Sequence, residues 1–260
     1  MSKQDRQEKL AALVFGRGTV RIDELLDELD VSAMTLYRDL ADLEARRAIV
    51  RTRGEVSAAA TSLSETSFGF RLGLEAASKR ALSSGAAELV GRGDSVFIDD
   101  STTSYFALEH LLAQGNKLTV VTNCHAPAEL AMQHPDVDLI MVGGRFMRRL
   151  QACYGPAALE AISRLRVDVA LLGAAAVQGG VVLHPYEEVA AFKGAVLGQA
   201  ATKALLVTGS KFERTALHTV SRLDEFDVIV TDVAGGDEAS EDEQLAAAAQ
   251  AGVRVFSAPA

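Results

Sequence analysis

Six short stretches of this sequence carry the groups that a phosphate oxygen needs. They are Asp99-Asp100-Ser101-Thr102-Thr103, Thr122-Asn123, Gly143-Gly144, Gly173, Ser210-Lys211 and Thr231-Asp232. Hydroxyls and an amide are short donors, glycines admit close backbone approach, and lysine adds one positive charge. Any one of these stretches has the composition of an ordinary turn. Their position is more telling, because each follows a short run rich in β-branched residues. In an open parallel sheet the carboxyl ends of the strands form one edge, and ligands bind beyond it.

A second group of residues suits another chemistry. In Val31–Glu44, Ser32 has the type and position of a helix N-cap, and Leu36, Leu40 and Leu43 recur at helical spacing. Those leucines mark the buried face and leave Thr35, Tyr37 and Arg38 around the open N-terminal turns. A helix offering Thr, Tyr and Arg there is shaped for a DNA major groove. Arg46, Arg47, Arg51 and Arg53 follow closely. Ile49–Val56 alternates like a hairpin with Gly54 near its tip, and arginines on such a wing meet the phosphate backbone.

Other constellations are weak. The histidines, His110, His125, His134, His184 and His218, have no metal-ligand spacing. His184 is expected on a loop surface. Cys124-His125 invites a nucleophile–base reading, but adjacent residues on an extended chain point to opposite sides. Cys124 and Cys153 lack the spacing of a disulfide framework or a cysteine zinc site and suit a reducing cytoplasm. No catalytic residue, metal or cofactor is expected.

The elements that position these groups can be read along the chain. Residues 3–15 form an amphipathic helix, broken at Gly16-Arg17-Gly18, with a short strand at Thr19 and Val20. Ile22, Leu25, Leu26 and Leu29 mark a second helix ending at Asp30-Val31, and with the helix after Ser32 it makes either a helix-turn-helix or an ordinary helical hairpin. Ser57–Ser67 lacks an apolar period and reads as linker. Then come the strand candidates Val96–Ile98, Leu118–Val121, Val137–Val142, Val167–Leu172, Ala204–Val207, Val228–Val230 and Val253–Phe256. Helical stretches separate most of them: Tyr105–Leu112, Pro127–Gln133, Pro156–Leu165, Glu187–Ala201 and Glu241–Ala251. This alternation predicts an α/β unit whose largely parallel sheet is covered on both faces. The expected division is 1–56 as a winged helix-turn-helix, 57–74 as linker and 75–260 as the α/β domain.

Bulk properties bound the function. The net charge of −9 is uneven: residues 1–56 hold 10 lysines and arginines against 11 acids, leaving −8 for the rest. Nucleic-acid binding needs a local basic face and not a basic protein. The acidic remainder would keep itself off the duplex. The polar N-terminus is no signal peptide and no apolar run reaches membrane-spanning length, so the expectation is a cytoplasmic protein without a membrane partner.

Thr35-Leu-Tyr37-Arg38-Asp39-Leu40-Ala-Asp-Leu43-Glu44 resembles the signature of the DeoR family of bacterial sugar-metabolism repressors, and the likeness extends over nearly the whole chain. The family's Asp-Ser-Gly-Thr-Thr matches Asp99–Thr103, its Thr-Asn matches Thr122 and Asn123, and its Gly-Gly matches Gly143 and Gly144. Its Ser-Lys-Phe matches Ser210-Lys211-Phe212, its Thr-Asp matches Thr231-Asp232, and its acidic pair followed by lysine fits Glu187, Glu188 and Lys193. The resemblance implies a winged helix-turn-helix followed by a Rossmann-like effector domain similar to sugar-phosphate isomerases. It implies operator DNA and a phosphorylated sugar or related metabolite as partners, and assembly into a homo-oligomer. Ser32, Thr35, Tyr37, Arg38, Arg46, Arg47, Arg51 and Arg53 would then meet DNA. Asp99, Ser101, Thr102, Thr103, Thr122, Asn123, Gly143, Gly144, Lys193 and Lys211 would meet the effector.

This chain departs from the family pattern in five places. Tyr37 stands for the first of two paired arginines, and Arg47 stands for a helix-ending glycine. Asp100 replaces a small neutral residue, Ser101 a glycine, and Thr208 an aspartate. Asp100 is expected to point away from the ligand, since an inward carboxylate would repel a phosphate dianion. The rival function is an isomerase-type enzyme with an appended helical domain, for which Glu187, Glu188 or Asp99 would supply a base.

Overall fold

In the computed structural model the described residues are 3–17, 19–45, 48–58, 66–233 and 243–258. They cluster into two units, Met1–Glu75 and Ala76–Ala260.

The first unit begins with α1 (Lys3–Arg17), β1 (Thr19–Arg21), α2 (Ile22–Leu29) and α3 (Ala33–Ala45). Asp23 and Glu24 sit in the first turn of α2, where carboxylates favour the positive end of the helix dipole. Asp30 ends that helix in the left-handed conformation at φ 50°, donating its N–H to the Leu26 carbonyl. Aspartate tolerates this backbone better than most non-glycine residues. The wing is β2 (Ile49–Thr52) and β3 (Glu55–Ala58), joined by Arg53 and Gly54 at φ 34° and 90°. Two turn residues at positive φ match the twist of a two-residue hairpin. The three strands pair in the order β1-β3-β2, all antiparallel. Leu10, Val14, Leu25, Leu29, Leu36, Leu40, Leu43, Ile49 and Val56 close one core.

Part of the stretch expected as linker has structure. β3 runs through Ala58, residues 59–65 lie outside the described part, and α4 (Phe68–Gly73) follows. Ser67 caps α4 by accepting the Phe70 N–H, and Phe70 and Leu74 join the first unit's core.

The second unit continues with α5 (Ala76–Ala87), β4 (Ser95–Ile98), α6 (Thr102–Ala113), β5 (Thr119–Thr122), α7 (His125–Met132) and β6 (Asp138–Met141). Next come β7 (Arg145–Met147), β8 (Ala152–Tyr154), α8 (Pro156–Ser163), β9 (Val167–Gly173), β10 (Ala176–Gln178) and β11 (Val181–His184). The chain closes with α9 (Glu187–Leu197), β12 (Ala200–Val207), β13 (His218–Arg222), β14 (Val228–Thr231), α10 (Glu243–Gln250) and β15 (Arg254–Ser257). The main sheet has seven strands in the order β15-β14-β12-β9-β4-β5-β6, every pair parallel.

Side chains alternate across this sheet. Val96, Ile98, Val120, Val169, Leu171, Leu206 and Val230 pack with Leu82, Leu108 and Leu111 from α5 and α6. Phe97 faces the other way and meets Phe192 of α9 at 5.9 Å between ring centroids. The helix expected through Ala201 stops earlier. Gly198 caps α9, and Ala200 already pairs with Val167 as the first residue of β12, so tertiary pairing overrides the alanine-rich composition.

Candidate DNA-reading face and effector site

Ser32 Oγ accepts the Thr35 N–H at 3.3 Å and lies 2.9 Å from the Thr35 hydroxyl, so the cap also steers Thr35. Beyond it Leu36, Leu40 and Leu43 are fully buried, while Met34 and Tyr37 are 76 and 48 % exposed and Arg38 is exposed. Arg53 stands exposed at the wing tip. Arg51 is engaged instead: its Nε donates to Glu44 at 2.8 Å, tying the wing to α3. That hydrogen bond holds the Glu44 carboxyl below its ordinary range. Arg46 and Arg47, with the helix ending expected there, lie outside the described residues.

Sequence reading assigned nothing to Asp39, yet it anchors this face. The carboxylate is 1 % exposed and accepts from Arg6 and from Gln7 Nε2, the latter at 3.1 Å. Gln7 also donates to Asp42 at 3.1 Å. These bonds fix α3 on α1. The available signal was an acid between Arg38 and Leu40, on the side of the helix that the leucines bury.

In the second unit all the expected effector segments fall at the carboxyl edge of the main sheet. Strand order adds what the sequence did not show. The chain runs outward from β4 through β5 to β6, then returns to β9 on the other side of β4. The reversal between β4 and β9 is where open α/β sheets leave a crevice. Asp99 follows β4 and Gly173 ends β9, and they bond directly: Asp99 Oδ2 accepts the Gly173 N–H at 2.8 Å. Oδ1 accepts the Ser101 N–H at 2.9 Å and the Ser104 hydroxyl. Lys193 arrives from α9 and places Nζ 2.6 Å from Asp99 Oδ2, 3.0 Å from the Gly173 carbonyl and 3.2 Å from Asp100 Oδ1. Burial alone would lower the Lys193 ammonium, but the two carboxylates outweigh it and hold its pKa above the ordinary value.

Asp100 is 2 % exposed and within ion-pair distance of Lys193, which compensates its charge inside the fold. One expectation is corrected here. His184 is not on a loop surface; it ends β11 at 3 % exposure, with Nδ1 accepting the Tyr186 N–H at 3.1 Å. The rejection of a Cys124–His125 pair agrees with the structure, since Cys124 is buried while His125 is exposed and faces Glu129 at 3.9 Å.

Ser101 caps α6. Its Oγ accepts the N–H groups of Thr103 at 3.0 Å and Ser104 at 3.3 Å. A Cβ added to Gly173 would lie 2.1 Å from this oxygen, so glycine is required there to receive the serine. Thr122 Oγ1 donates to the Ile98 carbonyl at 2.7 Å and accepts the Cys124 N–H at 3.0 Å, so it braces two strand ends. Asn123 Nδ2 donates to the Cys153 carbonyl at 2.9 Å. Neighbouring Tyr154 is fully buried, and burial first, then the Asp100 and Asp99 charges, push its phenol well above the ordinary value. Gly144 has φ 151°, and a Cβ there would lie 2.7 Å from the Tyr154 carbonyl, so packing demands this glycine. Gly143 beside it is exposed. Lys211 ends a 3₁₀ turn, Gly209–Lys211, that Asp232 holds by accepting the Gly209 N–H at 2.6 Å. Thr102 and Thr103 are 3 and 7 % exposed on the first turn of α6.

Among the described residues no group of three or more His, Cys, Asp or Glu side chains could hold a metal ion. No described helix is long and apolar enough to cross a membrane.

Comparison with known proteins agrees with this two-part layout. Residues 6–62 match the DeoR-like helix-turn-helix domain, and residues 74–233 match the DeoR C terminal sensor domain. The chain is 30 % identical to the glycerol-3-phosphate regulon repressor of Escherichia coli (strain K12), over 89 % of this chain and 92 % of that one. It is 28 % identical to the HTH-type transcriptional repressor GlcR of Bacillus subtilis (strain 168), over 89 % of each. It is 31 % identical to the lactose phosphotransferase system repressor of Lactococcus lactis subsp. lactis, over 89 and 92 %. Among solved structures, ribose 5-phosphate isomerase A from Methanocaldococcus jannaschii superposes at TM-score 0.38 and 17 % identity, covering 51 % of this chain and 52 % of that one.

Proposed function

The chain belongs to the DeoR family, and on that premise we propose that it represses carbohydrate-metabolism genes and leaves its operator when a phosphorylated sugar or related metabolite binds. The observation that carries the reading is the face of α3, where Tyr37 and Arg38 are exposed above fully buried leucines. In this reading residues 1–56 bind DNA, 57–74 link, and 75–260 sense the effector. Ser32, Thr35, Tyr37 and Arg38 position on or read bases. Arg46, Arg47, Arg51 and Arg53 grip phosphates.

The effector site divides by charge. The first amides of α6 are already taken by Ser101, so we assign the ligand's phosphate to the Lys211 turn. Ser101, Thr102, Thr103 and Asn123 then face its hydroxyls, Gly143 and Gly144 give backbone approach, and Asp99, Thr122 and Lys193 form the frame. Catalysis is not part of the proposal. Asp99 is occupied by four donors and Glu188 pairs with Arg145, so neither is poised as a base. The chain acts as an oligomer, because one short recognition helix makes few base contacts and dimers double them on spaced half-sites.

For release, the effector must favour one arrangement of the DNA-binding units over another. A coupling of about 1–3 kcal/mol would change operator affinity roughly 5- to 150-fold. The test is a thermal-shift screen of aldose and ketose phosphates, followed by operator titrations with the best of them in wild type and Lys211→Ala. The expected result is weaker operator binding in wild type and no response in Lys211→Ala, whose ligand-free DNA binding stays near normal. Unmoved wild-type affinity at saturation would sink the sensor reading, and turnover of any sugar phosphate would favour the enzyme.

A further inference from the structure

The main sheet ends at β6, and no strand lies on its outer side among the described residues. The amides of Asp138 and Val142 donate inward, to the carbonyls of Leu118 and Thr122. Backbone groups alternate along a strand, so Ile140 also faces inward while Leu139 and Met141 present N–H and C=O to the open side. Natural edges are blunted by short length, charged side chains, proline or a bulge. Asp138-Leu139-Ile140-Met141 is short and has a charge at its start, but its outward-facing pair, Leu139 and Met141, is apolar. Ile140 and Met141 are 40 and 43 % exposed, and Met132 and Phe146, close by in the chain, are 67 and 49 % exposed.

Charge is polarised along this edge. Exposed Asp136 and Asp138 lie at its start, and exposed Arg145 and Arg148 follow its end; Asp136 sits 4.0 Å from Lys117 and Arg145 pairs with Glu188, so Asp138 and Arg148 carry most of the polarity. An antiparallel copy of the same edge would set acid against base at both ends. Two copies in parallel would set like against like.

We propose that β6 pairs antiparallel with β6 of a second copy of this chain, about a two-fold axis through Ile140. The register follows from the alternation. Only Leu139 and Met141 face outward, so Leu139 pairs with Met141 of the partner subunit and the reciprocal pair forms with it. Ile140 meets Ile140 of the partner subunit at the close, non-hydrogen-bonded spacing of about 4.5 Å between Cα atoms. The contact is isologous and closes on itself. This rests on the oligomer proposed above and names its surface.

Sedimentation of the full chain tests the pairing with three variants. Asp136→Lys with Asp138→Lys makes both ends basic, and Arg145→Glu with Arg148→Glu makes both acidic. Met141→Pro removes an outward N–H and spares the inward ladder. Each variant, at unchanged melting temperature, should fall to half the wild-type mass or less at concentrations where wild type is assembled, with at least tenfold weaker association. Mixing the two charge variants in equal amounts should restore assembly, because both ends of the mixed pair are again opposite in charge. Variants that keep the wild-type mass, or a mixture that stays dissociated, would overturn the β6 interface while leaving the oligomer reading intact. A wild type that is monomeric throughout would overturn both. Assembly that returns only when another protein's extended segment is added would give the edge to a different occupant and refute self-pairing.

Discussion

Replacing Lys193 with methionine keeps much of the side chain's bulk and deletes the charge that Asp99 and Asp100 share. Lys193 is 4 % exposed, with Nζ 2.6 and 3.2 Å from the two carboxylates. Removing one partner of a buried ion pair costs on the order of 3–5 kcal/mol, because the remaining charge stays desolvated and uncompensated. In a domain of this size 1 kcal/mol moves the melting temperature by about 2–4 °C. The expected loss is therefore roughly 6–20 °C at pH 7 by calorimetry of the intact chain.

The structure also predicts how the loss can be recovered. Asp99 keeps donors from Ser101, Ser104 and Gly173 without Lys193, so its charge remains partly compensated. Adding Asp100→Ser to Lys193→Met removes the second carboxylate and should recover on the order of 1–3 kcal/mol, the coupling expected of residues in one network. Asp100→Ser alone leaves the Asp99–Lys193 bond standing and should cost much less than Lys193→Met. A Lys193→Met protein melting within 2 °C of wild type, taken as about 1 kcal/mol or less, would refute this reasoning. So would Asp100→Ser acting equally in both backgrounds.

Tyr154 and Lys193 both have raised folded-state pKa values, so each contributes stability below its unfolded value of about 10, and that contribution is lost as pH rises through the folded value. Melting scans above pH 10 should therefore show wild type losing ground to Tyr154→Phe, and parallel curves would contradict the burial argument. Asp39→Ala strips a partner from the buried Gln7 amide and should cost on the order of 1–3 kcal/mol in the first unit while weakening operator binding; urea unfolding with no change in midpoint would count against the α1–α3 anchor. Arg38→Ala should relax specificity at one operator position by about 1–3 kcal/mol. Arg53→Ala, at the exposed wing tip, should weaken all sequences alike and shallow the salt slope by about one. The double variant binding the operator like wild type would remove this face from the interface.

The inner main-sheet strands were legible because a parallel strand covered on both faces reads as a continuous apolar run, and edge strand β6 because Leu139, Ile140 and Met141 are apolar although the strand is largely exposed. Their order was not, since it depends on which crossover returns beside β4, and no local residue encodes that. The strands β7, β8, β10, β11 and β13 escaped reading because they are three to five residues long with mixed polarity. Asp100 shows the same limit in the site itself. Beside a suspected phosphate loop its carboxylate looked repulsive, because the compensating lysine lies 94 residues beyond Asp99 in sequence. Ser101 was legible in type but not in consequence. A glycine there would leave the first amides of α6 to the ligand, whereas the serine hydroxyl occupies them and fills the gap above Gly173. The crevice between β4 and β9 thus supplies part of its own anion-like oxygen. On the reading proposed above, the positive charge for a phosphate comes from the far side of β9, where the turn after β12 carries Lys211.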